Sequence, residues 1–188
     1  IVSLHLLGGM GLLVLLAVQA EWFRQHQMLG LGPAEAIAGL QTTLIALAIL
    51  VFMQVSLGAW VSTNYAVLAC TDFPTCHGQW WPSMNFAEGF APLRELGMND
   101  SGGVLSLQAL TAIHYAHRLM AYVLLLALFG VAVLLWHRAR RWALFFAGVA
   151  LWQLLTGVSN VVLGWPLLAA VSHTGGAAVL AAGLATLL

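Results

Sequence analysis

The chain has 188 residues, of which 62% are hydrophobic and only 6% charged, whereas a soluble domain carries about a quarter charged residues. With a mean hydropathy of +0.94, this composition is that of an integral membrane protein. Six Arg, no Lys and six acids give a formal net charge of zero, which leaves no basic surface and excludes a nucleic-acid partner.

A crossing of the hydrocarbon layer takes roughly 20 apolar residues, and five stretches reach or approach it: 1–20, 37–60, 108–136, 142–164 and 167–188. The predicted fold class is an all-α integral membrane protein, a helical bundle of five transmembrane spans. The first span opens with "SLHLLGGMG" (3–11), which puts His5 four residues before Gly9, and is followed by a loop that carries Arg24. The second ends in "QVSLG" (54–58). The loop 61–107 then brings "LACTDFPTCHGQWWP" (68–82), with Cys70 and Cys76, and "NFAEGFAPLREL" (85–96). In the latter, Phe86, Phe90, Leu93 and Leu96 recur at helical intervals and suit a short helix on the membrane surface. Gly89 and Pro92 inside the run equally suit a loop packed over the span ends.

The third span contains "TAIHYAHRLMAY" (111–122), which places His114, His117 and Arg118 in an apolar run. Titratable groups at such depth are costly and mark functional sites by default. After the turn "HRARRW" (137–142), the fourth span carries "QLLTG" (153–157), and the fifth, after "GWP" (164–166), carries "VSHTGGAA" (171–178) with His173. "QVSLG" and "QLLTG" keep the same Gln-to-Gly spacing, and His5 and His173 are each followed closely by a Gly pair. These echoes predict an internal duplication of a helical pair.

Short Arg-rich loops stay cytoplasmic. Arg24, Arg138, Arg140 and Arg141 fall on one side against Arg94 alone on the other, so loop 61–107 is expected on the outer face. Trp22, Trp60, Trp136, Trp142 and Trp165 lie at the predicted span ends as an aromatic belt. On the oxidising outer side Cys70 and Cys76 read as a disulfide, with structural closure and redox exchange both open. His5, His114, His117 and His173 all fall in outer halves of spans. At about 1.5 Å per residue, His114 and His173 lie roughly 9 Å and His117 roughly 13 Å below the starts of their spans.

One intramembrane His reads equally well as a hydrogen-bonded packing residue; three spans that each place His at similar depth point further. Imidazole binds zinc, copper and iron, but the predicted spans hold no acid and no Cys to complete a small-ion site. A flat cofactor gripped by axial histidines from facing helices fits better, and the neighbouring glycines would let it approach, although glycine pairs also serve helix packing. Arg118 either snorkels to the interface or meets an anionic group of such a cofactor.

Taken together, "GAWVSTNYAVLACTDFPTCHGQWWP" (58–82), "IHYAHRLMAY" (113–122), "SLHLLGGMG" and "VSHTGGAA" resemble the haem A synthase family over nearly the whole chain. The resemblance implies an eight-helix protein of two pseudo-twofold halves, of which this chain spans helices four to eight. Residues 1–36 would be the last helix of the amino-terminal half plus a cytoplasmic linker, and 37–188 the carboxy-terminal four-helix half. It implies that His117 and His173 bind the iron of haem b, that Arg118 holds a propionate, and that His114 lines the pocket. The alternative, His114 as ligand with His117 beside it, stays open. His5 would serve the substrate haem, haem O, whose C8 methyl is oxidised to formyl. The remaining catalytic residues would lie upstream of Ile1. Haem O synthase, an electron donor and membrane lipid are the implied partners, homo-oligomerisation is left open, and the location is a bacterial plasma membrane in preference to a mitochondrial inner membrane. Two other classes compete: a non-catalytic b-type cytochrome, and a disulfide-generating membrane oxidoreductase that works through Cys70 and Cys76.

Overall fold

The computed structural model describes residues 2–27, 39–91, 95, 97–99 and 101–188. Five long helices carry the architecture: α1 (Val2–Gln27), α2 (Gln41–Thr63), α4 (Leu107–Leu135), α5 (Arg140–Val162) and α6 (Leu167–Ala185), with a short α3 (Phe86–Gly89) between α2 and α4. All five are long and apolar enough to cross a membrane, and among the described residues there is no strand beyond two isolated bridges. The protein is therefore a multi-pass helical bundle. Helices dominate because backbone N–H and C=O groups in hydrocarbon must be paired within the segment itself.

The helices stop where the sequence supplies a stop. Between α5 and α6, Gly164 (φ 68°) and Trp165 (φ 63°) both take the left-handed conformation, and the Trp165 amide bonds back to the Asn160 carbonyl at 2.9 Å. Gly tolerates that conformation at little cost, and Pro166 then opens α6 at its N-cap. At the α4–α5 turn Arg140 lies over the Trp136 ring, 4.7 Å from its centre.

The bundle differs from end to end. At the end remote from the long loop, Leu47, Leu128, Leu135, Phe146, Leu180 and Leu184 from four helices form one apolar core. Phe146 and Leu135 are fully buried there. Gly183 admits the Phe145 ring, which a Cβ at that position would overlap. Dense packing of this kind, with small residues that let helices approach, is what associates helices in lipid.

At the other end the long loop folds back over α4. Ser106 caps α4 by accepting from the Ala109 amide, and the Glu88 carboxylate accepts from the Ser106 amide at 3.0 Å and its hydroxyl at 2.5 Å. A Cβ on Gly89 would lie 2.8 Å from the Ala109 carbonyl oxygen, so α3 sits against the start of α4 because residue 89 is glycine. The surface helix expected over 85–96 is confined to Phe86–Gly89. Leu93 and Leu96, like Arg94 and the linker 28–38, lie outside the described residues. Cys70 and Cys76 are joined in a disulfide and fully buried, beneath Tyr115 and Met84.

Candidate functional site

The stretch "TAIHYAHRLMAY" sorts by helical position. Thr111, His114, Tyr115 and Arg118 recur at the three- and four-residue spacing that puts side chains on one helix face, and all four are buried. Three of them hold the loop. The Thr111 hydroxyl lies 3.2 Å from His77 Nε2, and the Tyr115 hydroxyl donates to the Trp80 carbonyl. Arg118 donates from one terminal nitrogen to the Thr75 carbonyl (2.9 Å) and from the other to the Cys70 carbonyl (3.0 Å). An Arg inside a span is thus paired with backbone oxygens of the disulfide ring itself.

That ring is organised by Asp72. Its carboxylate accepts from the Thr75 hydroxyl (2.5 Å) and from the His77 (2.8 Å) and Gly78 (3.0 Å) amides. The Thr75 bond above all, then the two amides, lowers its pKa from 3.8 to about 2 against a smaller upward push from burial.

Below the loop, α2, α4, α5 and α6 part around a cavity of about 270 Å³. His117 from α4 and His173 from α6 both line it, with ring centres 6.5 Å apart and planes at 78°. A first-row metal–imidazole bond is about 2.0–2.1 Å, and adding about 1.1 Å to each ring centre sets two axial imidazoles roughly 6.3 Å apart. The observed separation matches one metal held between them. Among the described residues no three His, Cys, Asp or Glu converge on a point; His117 and His173 are the imidazole pair in ring contact at this cavity.

The polar atoms around the cavity tell the same story. Gln54 Oε1, His114 Nδ1, Arg118 Nε and Asn160 Oδ1 are buried without a hydrogen-bond partner among the described residues, and all four residues line this cavity. Buried polar groups are otherwise almost always satisfied, and an orphan calls for a ligand or water to explain it. Four such residues gathered around one space suit a ligand with its own polar substituents.

Two partner helices hold the histidines by the same device. From α2, Gln54 Nε2 donates to the His117 carbonyl (3.3 Å); from α5, Gln153 Nε2 donates to the His173 carbonyl (3.0 Å). Four residues further on, a Cβ on Gly58 or on Gly157 would lie 3.2 Å from the Cε1 of His117 or His173 respectively. The Gln-to-Gly echo in the sequence is therefore a duplicated histidine seat. Of the Gly pairs next to the histidines, Gly176 serves helix packing by receiving Trp152 and Gln153 from α5, while a Cβ at Gly8, Gly9 or Gly175 would meet no atom within 4 Å. Glycines on the facing helices make the room, because a helical side chain is crowded by its neighbours across the interface rather than along its own chain.

His117, His173, His114 and Arg118 are thus brought together around one space, whereas His5 is exposed on α1 and takes no part in the lining. Gln54, Thr156 and Asn160 were not singled out by sequence as site residues. The repeated Gln-to-Gly spacing was the one signal for the first; single Thr and Asn residues in spans carry none.

A model of the cytochrome oxidase assembly protein family, COX15-CtaA, matches residues 1–185. The chain is 36% identical over 190 residues to a haem A synthase of Shewanella oneidensis, covering all of this chain and 57% of that protein. It is 30% identical over 124 residues to a haem A synthase of Halalkalibacterium halodurans, covering 62% of this chain and 33% of that protein. No solved structure gives a significant match.

Proposed function

This chain belongs to the haem A synthase family of cytochrome oxidase assembly proteins, and we propose that it forms the carboxy-terminal haem b site of such an enzyme together with the last helix of the other half. In this reading residues 1–36 close the amino-terminal half, 37–188 form the carboxy-terminal four-helix half, and the whole protein oxidises the C8 methyl of haem O to a formyl group. The observation that carries the reading is the 6.5 Å separation of the His117 and His173 rings at a cavity whose lining includes the four residues with an unpartnered buried polar atom.

Haem b bound there would supply a one-electron carrier, and His117 and His173 are the residues that would hold it. The chain's own residues do the rest. His117 and His173 ligate from α4 and α6, and the Gln54 and Gln153 amides fix the backbone of each. Arg118, anchored to the loop through two nitrogens, would place its charge beside a propionate, which would neutralise a cation at a depth where it is otherwise expensive. His114 presents Nδ1 to the pocket as a hydrogen-bonding neighbour. The apolar core at the far end of the bundle and the loop at the near end exclude water.

His5, exposed on α1 and outside the lining of this cavity, suits the second, substrate haem, and the catalytic residues are assigned to the amino-terminal half. The loop faces outward across a bacterial plasma membrane, since Arg138, Arg140 and Arg141 occupy the opposite turn. Haem O synthase would supply the substrate and a separate donor the electrons. The full burial of Cys70 and Cys76 and the lack of any further cysteine in the chain support closure of the loop over disulfide exchange. Pigment extraction from the purified full-length protein tests the activity: haem O or haem A beside haem b supports it, and haem b alone identifies a b-type electron carrier instead.

A further inference from the structure

The two proposed ligands are seated by the same Gln and Gly, but their ring nitrogens are held by different chemistry. Thr156 Oγ1 lies 3.0 Å from His173 Nδ1 and 2.7 Å from the Trp152 carbonyl oxygen. A hydroxyl has one hydrogen and two lone pairs. The Trp152 carbonyl can only accept, so the single Thr156 hydrogen is committed to it; a weaker contact to the Gln153 carbonyl at 3.4 Å shares that same hydrogen. Toward His173 the hydroxyl is therefore an acceptor, and Nδ1 must carry the proton.

We infer that Thr156 is the positioning residue of this site: it fixes His173 as the Nδ1–H tautomer, so that Nε2 holds the lone pair offered to iron. The inference rests on the haem reading above and deepens it. A ring N–H that donates to an oxygen makes the other nitrogen a more basic ligand and locks the ring's orientation.

Among the described residues His117 has no hydroxyl at its ring nitrogens. In the duplicated register, where Gln54 matches Gln153 and Gly58 matches Gly157, the position of Thr156 is filled by Leu57. The His117 ring instead faces the Gln54 amide, whose Nε2 lies 3.2 Å from Nδ1 and 3.3 Å from Nε2. The axial pair is consequently unequal. His173 is the ligand with a built-in acceptor, and the duplicated half-sites have diverged at one residue to make it so.

A more basic axial imidazole favours ferric over ferrous iron, so removing the acceptor raises the reduction potential. Thr156→Val in the haem-loaded full-length protein keeps the shape and deletes the acceptor, and Thr156→Ser restores it. Outer-shell partners act on the order of 10- to 100-fold; a roughly tenfold loss of ferric preference reads as about 59 mV upward in a one-electron titration. The expected result is a six-coordinate low-spin haem in Thr156→Val with a raised potential and altered ferric electron-spin resonance g values, and a return towards wild type in Thr156→Ser. Wild-type potential and g values in Thr156→Val overturn the inference. Should Thr156→Val lose its haem, Thr156→Ser decides: haem at wild-type potential supports the hydroxyl's role, and loss of haem there too overturns it. His173→Ala, measured alongside, separates the two levels. If it keeps the wild-type spectrum the haem reading itself falls; if it loses that spectrum while Thr156→Val is unchanged, only the role of Thr156 falls.

Discussion

The two ends of the bundle are built from the same helices and nearly the same composition, yet they do opposite things. At the end remote from the loop, α2, α4, α5 and α6 close on Leu47, Leu135, Phe146 and Leu184. At the loop end those same helices part around a cavity, and the four described buried polar atoms without partners all belong to residues that line it. The difference teaches where stability and function reside. The packed end fixes the helix spacing, and the open end uses that spacing to hold His117 and His173 at one distance. A polar atom left unpaired in a low-dielectric interior is costly, and here that cost is concentrated in the space where a cofactor would repay it.

The sharpest break of the comparison is a cavity at the packed end. Phe146→Ala removes a fully buried ring and should cost about 3–5 kcal/mol of stability. The haem absorption spectrum of the surviving protein should stay unchanged, as thermal melts and spectra on one preparation would show. A changed spectrum would mean that the two ends are not separable.

The loop end is expected to depend on its staple. Replacing Cys70 and Cys76 with Ser should destabilise by about 2–3 kcal/mol in the chain-entropy model, and lower haem retention through the Arg118 contacts to the Cys70 and Thr75 carbonyls. Turnover per bound haem should hold. A double variant with full haem and no activity would support a redox role, and thiol labelling of the untreated protein should leave both cysteines unmodified.

His114→Ala should retain a six-coordinate haem and shift its potential, with an outer-shell effect of about 10- to 100-fold. Loss of six-coordination in that variant alone would exchange the roles of His114 and His117.

The smallest effect belongs to Asp72. Its folded pKa is held down from 3.8 to about 2, so its contribution is complete above the unfolded value and is lost as pH falls through the folded one. Hydrogen exchange at the His77 and Gly78 amides, corrected for intrinsic rate, should stay slow down to about pH 4 and accelerate towards pH 2 by this linkage. Asp72→Asn should flatten that step, and the effect should be modest because the carboxylate is only partly shielded from solvent.

The fold was legible because lipid leaves few choices. Each apolar run of the necessary length became a helix, and the boundaries moved by at most four residues, except that the first predicted span, 1–20, runs on as Val2–Gln27. His114, His117 and His173 stood out as imidazoles at similar depth in apolar runs and all three line one cavity, whereas His5, singled out by the same depth argument, does not. What holds them was harder to see. Gln54 and Gln153 showed only as a spacing, and Thr156 showed as nothing, because single hydroxyl and amide groups in spans commonly glue helices together. Arg118 was visible as an expensive cation, but its partners are the Cys70 and Thr75 carbonyls, and a backbone oxygen leaves no mark in a sequence. Over 85–96 the sequence left a surface helix and a packed loop equally open, because Gly89 and Pro92 interrupt the periodicity; among the described residues the helix is α3, which ends at Gly89.

The central claim is that His117 and His173 grip one iron between α4 and α6. Low-temperature electron-spin resonance of the purified full-length protein, beside His117→Ala and His173→Ala, tests it most directly. The account predicts a low-spin bis-imidazole ferric signal in the wild type that is lost or converted in each single variant; the same low-spin signal in both variants would contradict it.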